Sequence, residues 1–314
     1  MQEKNTIHFK TRPILVAAWP GMGQVGLMTV DYLRRKLNAK VFAGMDMTSV
    51  FVPESIVVKD GIAHLPDTPE SVFHYHEDPD IIVFESNAQL AGKEAMTIAQ
   101  GLLKIAAQFH VSRIYTAAAF AKPMSHNERS EVLFVGSNDT VKVDLEKYGL
   151  SPMPDGMISG LNGLLLGLAG TSGIEAGCFL GTIPSYSGSL AYPKAALEIL
   201  TRLTSVLGVS IDLSDLEEQA GAIDRQLGEI EDRIRQLFPS AVESSEEPKD
   251  ETLAGMDHDD VPKYIMDKIE RLFEEVARDR SRAVELKNEL VRWNLYDLYE
   301  KRFLELFRDD MRRE

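Results

Sequence analysis

The chain has 314 residues, of which 44% are hydrophobic and 26% charged, a composition typical of a soluble globular protein with one main domain and an appendage. Its formal net charge of −15 is uneven, because residues 214–314 carry 28 acidic and 17 basic side chains, whereas residues 1–213 carry 21 and 17. This balance argues against binding to nucleic acid or to an anionic membrane surface, since both require a basic face.

Other features of the sequence indicate the cellular compartment of the protein. The single cysteine, Cys178, excludes an intramolecular disulfide, and its apolar neighbours predict a core residue rather than a reactive thiol. Residues 1–10 are polar and do not resemble a signal peptide, and the longest apolar stretch, Gly160–Gly170, is too short to cross a bilayer. We therefore expect a cytoplasmic protein.

A glycine-rich turn joins a predicted strand, Ile14–Trp19, to a predicted helix, Val25–Leu37. Gly21, Gly23 and Gly26 have the G-x-G-x-x-G spacing that lets a backbone approach a phosphate group at a helix N-terminus. The same pattern is also compatible with a tight strand-to-helix connection that binds no ligand.

A dinucleotide site is the less favoured interpretation of this turn. Asp46 stands about where a ribose-binding acid is expected, but strand-like sequence continues directly after it. Pro20, between the strand and the first glycine, is not part of the dinucleotide pattern.

Downstream, apolar stretches alternate with helix-length segments. The predicted strands are 40–45, two in a hairpin at 55–65 that turns at Asp60 and Gly61, 71–76, 80–85, 113–119, 131–135 and 175–183; the predicted helices are 91–109, 161–168 and 193–207. Strands separated by helices indicate βαβ units. The sequence therefore predicts an α/β fold with a mostly parallel sheet and helices on both faces.

Several of these segments together resemble a known family. Trp19–Gly26, followed by Asp31–Leu33, resembles the opening signature of the proteasome assembly chaperone family. Gly160–Gly167 is similar to its glycine-rich helix, and Thr182–Tyr186 with Tyr192–Ala196 to its last strand, loop and helix. The resemblance covers about residues 10–210.

The resemblance implies a three-layer α/β domain similar to nucleoside phosphorylases and related hydrolases. It also implies a homo-oligomer, and a possible protein partner that is proteasome-related by family alone. Prokaryotic members are often labelled predicted ATP-grasp ligases, but no lysine- and acid-rich ATP-grasp pattern is evident in this sequence. The main hypothesis is a non-catalytic scaffold or assembly chaperone without a cofactor.

Ligands of open α/β sheets lie beyond the carboxyl ends of the strands, where several residues of this chain are predicted to meet. The candidate ligand-binding residues are Pro20, Gly21, Met22, Gly23, Gln24, Gly26, Glu85, Asn87, Lys122, Asn162 and Tyr186. They fit either a small-molecule site or a rim that contacts another subunit. The alternative hypothesis is a sensor or enzyme that binds ATP or another nucleotide, a phosphate or a carboxylate, such as an ATP-dependent carboxylate–amine ligase or a nucleoside hydrolase or phosphorylase.

Signals for other chemistry are weaker. His74 and His76 share one face of a predicted strand, but a metal site needs a third ligand, so a half-exposed strand is the preferred interpretation. Ser125, His126 and Glu128 are too close in sequence for triad geometry and predict a polar loop. The sequence identifies no catalytic residue and no metal site.

The last hundred residues predict a helical extension. A helix at 214–240 carries apolar residues in alternating steps of four and three, and these are Leu216, Ala220, Ile223, Leu227, Ile230, Ile234 and Leu237. So narrow a stripe favours a partner helix, from this chain or another subunit, over a helix that lies on its own domain. An acidic flexible linker is predicted at 241–261 and further helices at 262–314, after the α/β core domain at 1–213.

Overall fold

The computed structural model describes residues 7–48, 50, 51, 53, 55–188, 190–237 and 263–278, and the single residues 282, 283, 286, 290 and 299. The chain forms two compact units, the first of residues 1–153 and 157–249 and the second of residues 154–156 and 250–314. The predicted linker at 241–261 lies outside the described residues, as do most of the predicted helical residues after 278.

The predicted helices and strands occur in the predicted order, and the structure adds a helix at Asp139–Glu146 and a short strand at Ser151–Pro152 that were not predicted. The strands are β1 (Ile14–Ala18), β2 (Lys40–Gly44), β3 (Val57–Lys59), β4 (Ile62–His64), β5 (Ser71–His76), β6 (Ile81–Ser86), β7 (Arg113–Lys122), β8 (Val132–Gly136), β9 (Ser151–Pro152) and β10 (Glu175–Pro184). The helices are α1 (Val25–Lys36), α2 (Gly92–Gln108), α3 (Asp139–Glu146), α4 (Leu161–Thr171), α5 (Pro193–Leu207), α6 (Ser214–Leu237) and α7 (Lys263–Arg278). Of these, α7 belongs to the second unit.

The main sheet has eight strands in the order β2-β5-β6-β1-β7-β10-β8-β9. Its four central strands, β6, β1, β7 and β10, are parallel, whereas β5 runs antiparallel to β6 and β8 antiparallel to β10. The predicted parallel sheet is thus confirmed at its centre, with antiparallel strands on both flanks. The carboxyl ends of the four central strands lie along one edge.

Helices cover both faces of this sheet. Val16 and Ala18 of β1 point into a core shared with α1, α3, α5 and α6, whereas Leu15 and Ala17 point into a core shared with α2 and α4. Because successive residues of a strand face opposite sides, one apolar strand supplies both cores. This arrangement confirms the three-layer α/β fold.

The first half of α6 is buried against its own unit. Leu216 and Leu227 belong to the same apolar core as α5, and Ala220 and Ile223 are buried or half-buried beside them. At these four positions the stripe packs against α5, so the partner helix is one of this chain and belongs to the same unit. The side chains of Ile230, Ile234 and Leu237 lie outside the described residues.

The strands β3 and β4 form a hairpin that is not hydrogen-bonded to the main sheet. It turns at Asp60 and Gly61, both with positive φ, as predicted. Each of its six strand residues is exposed. The hairpin therefore presents apolar side chains that nothing in the described chain covers.

Candidate functional site

The glycine turn is held closed by its own backbone amides. Gly23 has a left-handed conformation (φ 61°), and its N–H donates to Gly188 O at 2.8 Å, while its carbonyl accepts from the N–H of Tyr192 at 2.8 Å. Gln24, also left-handed (φ 52°), donates to Gly21 O at 3.0 Å. Two amides that a phosphate cradle would use are thus committed to protein carbonyls.

The third glycine, Gly26, allows α1 to touch β7. A Cβ atom at this position would lie 2.1 Å from the carbonyl oxygen of Ala117, which is far inside van der Waals contact. The residue is therefore needed for helix–strand packing, whether or not the turn binds a ligand.

Asn162, at the start of α4, secures the end of β1. Its side-chain oxygen accepts from the N–H of Trp19 at 3.2 Å, and its side-chain nitrogen donates to Trp19 O at 3.3 Å. Thr116 donates its hydroxyl to the Asn162 carbonyl at 2.9 Å. This buried amide thus completes hydrogen bonds that β1 loses when it leaves the sheet.

Gln89 makes a similar connection that the sequence did not point to. In the amide orientation that satisfies both groups, it donates to Pro20 O at 3.2 Å and accepts from the N–H of Leu161 at 3.2 Å. Its position three residues after β6, at the carboxyl edge, was the only sequence signal for this role.

A cavity of about 420 Å³ opens beside this turn. Of the predicted site residues, those that line it are Pro20, Gly21, Met22, Gly26 and Asn162. The end of β7, Ala118–Ala121, forms another wall, and Met153, Met157 and Ile158 contribute apolar side chains. Among the described lining residues none carries a charge, so the cavity suits an uncharged, largely apolar ligand.

The remaining candidates of the same edge have other partners. Asn87 accepts from the N–H of Glu70 at 2.9 Å and donates its own N–H to Glu70 O at 3.1 Å. Lys122 pairs with Glu131 at 3.1 Å. Tyr186 lies in the short turn Ser185–Ser187, and its side chain is outside the described residues. A ligand-binding role for these residues stays a prediction.

Glu85 faces α1 rather than the cavity. One carboxylate oxygen accepts from Arg34 Nε at 2.8 Å, while the other is buried with no hydrogen-bond partner in the described part of the chain. Burial raises the pKa of Glu85, although Arg34 opposes this effect.

His74, on the neighbouring strand, has its pKa lowered by burial and by the charge of Arg34.

The structure removes the dinucleotide interpretation. Asp46 follows β2, which lies at the sheet edge and is separated from β1 by β5 and β6, whereas a ribose-binding acid needs a strand adjacent to β1. Its carboxylate instead accepts from the N–H and the hydroxyl of Thr48, at 3.0 and 2.6 Å. Asp46 therefore stabilises its own loop.

Other sequence signals prove structural. Cys178 is fully buried, and burial raises its pKa to about 12, so it is a core residue. Ser125 donates its N–H to the Glu128 carboxylate at 2.6 Å, as expected of a polar loop. Within the described ranges, no three His, Cys, Asp or Glu side chains cluster as metal ligands, and no helix has the length and apolarity of a bilayer span.

Comparisons with known proteins agree with this geometry. The chain is 23% identical over 240 residues to the uncharacterized protein MJ1210 of Methanocaldococcus jannaschii, covering 76% of this chain and 90% of that protein. Its fold matches the crystal structure of Pyrococcus furiosus PbaB, an archaeal proteasome activator (TM-score 0.60, 23% identity, 70% of this chain and 93% of that one). It also matches Pyrococcus furiosus PbaA, an archaeal homolog of proteasome-assembly chaperone (TM-score 0.58, 20% identity, 76% and 96%). Residues 15–231 match the PAC2 family, so the chain belongs to the PAC2 family.

Proposed function

We propose that this chain is a non-catalytic, homo-oligomeric assembly chaperone of the cytoplasm, with proteasome subunits as its first candidate partner. The family membership and the fold shared with PbaA and PbaB support a protein partner. The cavity beside the glycine turn has no charged side chain in its described walls, which argues against acid–base or phosphate chemistry at that cavity, because such chemistry needs titratable or cationic side chains.

The observation that carries the proposal is the exposed apolar hairpin. Val57, Val58 and Ile62 of its strands, with Ile56 and Leu65 beside them, are all exposed large apolar side chains. An isolated two-stranded hairpin is only marginally stable in water, and this one exposes apolar side chains on both of its faces, which indicates an interaction surface. We assign this hairpin to self-association, because a second copy is present wherever the chain is.

The test is the mass of the assembly in solution. Val57→Lys puts a charge on the hairpin, whereas Val143→Lys alters an equally exposed apolar residue of α3 (49% and 50% exposed). Light scattering should give a multiple of 35.0 kDa for wild type and for the control, and a smaller mass for the hairpin variant. A monomeric wild type, or equal masses for all three proteins, would contradict self-association through this surface.

The partner is tested separately by mixing the purified chain with 20S proteasome α subunits from the same source. Native mass spectrometry should detect a complex. If no complex forms at micromolar concentrations, the proteasome-related part of the proposal is wrong.

The small-molecule alternative is less well supported. The Gly23 and Gln24 amides are already bonded, and the described cavity walls offer no cation to a phosphate or carboxylate. A thermal-shift panel of ATP with magnesium, phosphate and small carboxylates tests this alternative, since a ligand at about 100 times its Kd stabilises the native state by about 2.7 kcal/mol.

A further inference from the structure

Strand β7 extends beyond the point where its neighbour β1 ends. β7 pairs with β10 from Arg113 to Lys122, but β1 pairs with β7 only as far as Thr116. The chain leaves the sheet at the glycine turn, so the position beside the second half of β7 is vacated. No strand of the described chain fills it.

The burial pattern shows that this edge is open. In β10, residues 176–184 are buried, whereas residues 118–122 of β7 are all half-buried. Ala118, Ala119, Phe120 and Ala121 all line the cavity described above. Because successive side chains point to opposite faces, four consecutive residues meet one cavity only through the edge of their strand.

The carbonyl of Ala117 gives the orientation of this edge. It points at Gly26, which lies directly after the turn that replaces β1. Alternate residues of a strand direct their backbone groups to the same edge, so Ala119 and Ala121 present N–H and C=O groups to the cavity. Ala118 and Phe120 direct theirs to β10.

We propose that this open edge binds an extended, uncharged, apolar segment of a partner protein by strand addition. The unpaired backbone groups select an extended chain, and the neutral, methionine-lined walls exclude charged side chains while adapting to varied apolar ones. The site, Ala118–Ala121, is long enough for about four residues at about 3.3 Å each. This inference rests on the proposed function only in that the occupant is a protein segment.

The first test needs no ligand. Hydrogen exchange of the full chain, read at single amides, should show Ala119 and Ala121 exchanging at least tenfold faster than Ala118 and Phe120. Equal protection of the four amides would overturn the open edge.

The second test uses a blocked heptapeptide of alternating valine and threonine as the probe, with a version carrying proline at alternate positions as its control. The first peptide should slow exchange at Ala119 and Ala121 at least tenfold, and the proline version should not. No slowing at millimolar peptide would overturn the proposal.

Two matched variants locate the binding. Met22→Lys introduces a charge at the cavity wall, and Val143→Lys introduces one outside the cavity lining at a position of similar exposure (48% and 50%). Peptide affinity should fall at least tenfold in the first variant alone, and equal affinities would contradict binding in the cavity. Complex formation with proteasome subunits is measured separately. A failure of peptide binding and a failure of complex formation can therefore be told apart.

Discussion

At the scale of single residues, Gly26 allows α1 to pack closely on β7 because glycine has a hydrogen atom where other residues have a Cβ atom. Its Cα lies so near Ala117 that any side chain would press on backbone rather than on a movable side chain. Gly21, five residues earlier, is different: it is extended (φ −167°), and a Cβ there would meet only the Asn162 amide at 4.0 Å.

These two glycines make a matched pair of variants. Gly26→Ala should destabilise the chain by about 3 kcal/mol or more, because α1 must move away from β7. Gly21→Ala should change the free energy of unfolding by less than about 1 kcal/mol. Urea unfolding measures the free energy of unfolding of both variants. Similar decreases in the two would show that the close contact at Gly26 contributes no special stability.

The environment of Glu85 is expected to make the stability of the protein depend on pH. Its pKa is raised above the ordinary value of 4.5 by burial, against the opposing charges of Arg34 and Arg35 and in the same direction as Asp31. The folded state therefore binds a proton more tightly than the unfolded state, so this group's contribution to stability falls as pH rises from 4.5 through the raised pKa.

Glu85→Gln removes this titration. The free energy of unfolding of wild type, relative to the variant, should decrease as pH rises above about 4.5. The lowered pKa of His74 has the opposite sign, but it is present in both proteins and largely cancels in the difference. A difference that rises with pH would show that the ion pair with Arg34 outweighs burial.

At the scale of elements, α6 shows why a heptad pattern of apolar residues does not identify the surface against which the helix packs. An alternation of four and three places Leu216 and Leu227 on one face of a helix, and any complementary apolar surface can cover that face. Here α5 covers it, and Lys194 of α5 pairs with Asp224 of α6 at 2.9 Å. The element was predictable, but its docking was not.

Leu227 provides the test of this docking. Leu227→Ala should cost about 2–5 kcal/mol, because it opens a cavity in the core of the first unit. Gln226→Ala, at the exposed neighbouring position, should cost less than about 0.5 kcal/mol. Denaturant unfolding gives both values; a change in assembly mass with unaltered stability would instead place Leu227 at a subunit contact.

At the scale of the whole molecule, charge and apolar surface act in opposite directions. A net charge of −15 makes copies of the chain repel one another, and most of that charge follows residue 213. The hairpin adds little to this repulsion, because Lys59 at the end of β3 and Asp60 in the turn carry opposite charges. The hairpin therefore combines exposed apolar side chains with no net charge, as the proposed self-association requires.

The candidate site was predictable only in part. The rule that ligands lie beyond the carboxyl ends of the strands led us to group Asn162 with the glycine turn, and both line one cavity. It did not distinguish Glu85, whose side chain points to the α1 face, because the direction of a side chain at a strand end depends on register. It also missed Gln89, since a loop amide has no periodic pattern to reveal it.

The sequence by itself determined the α/β class, the order of all strands and helices except α3 and β9, the turn at Gly21–Gly26 and the hairpin at Asp60, because period, turn residues and apolar runs are local properties. Only the tertiary structure decided that β2 lies at the edge, far from β1, and that β7 extends beyond its neighbour. Only it showed that the glycine turn bonds to the chain near Gly188 and that α6 rests on α5. These outcomes depend on contacts between residues distant in sequence, and local periodicity carries no information about such pairings.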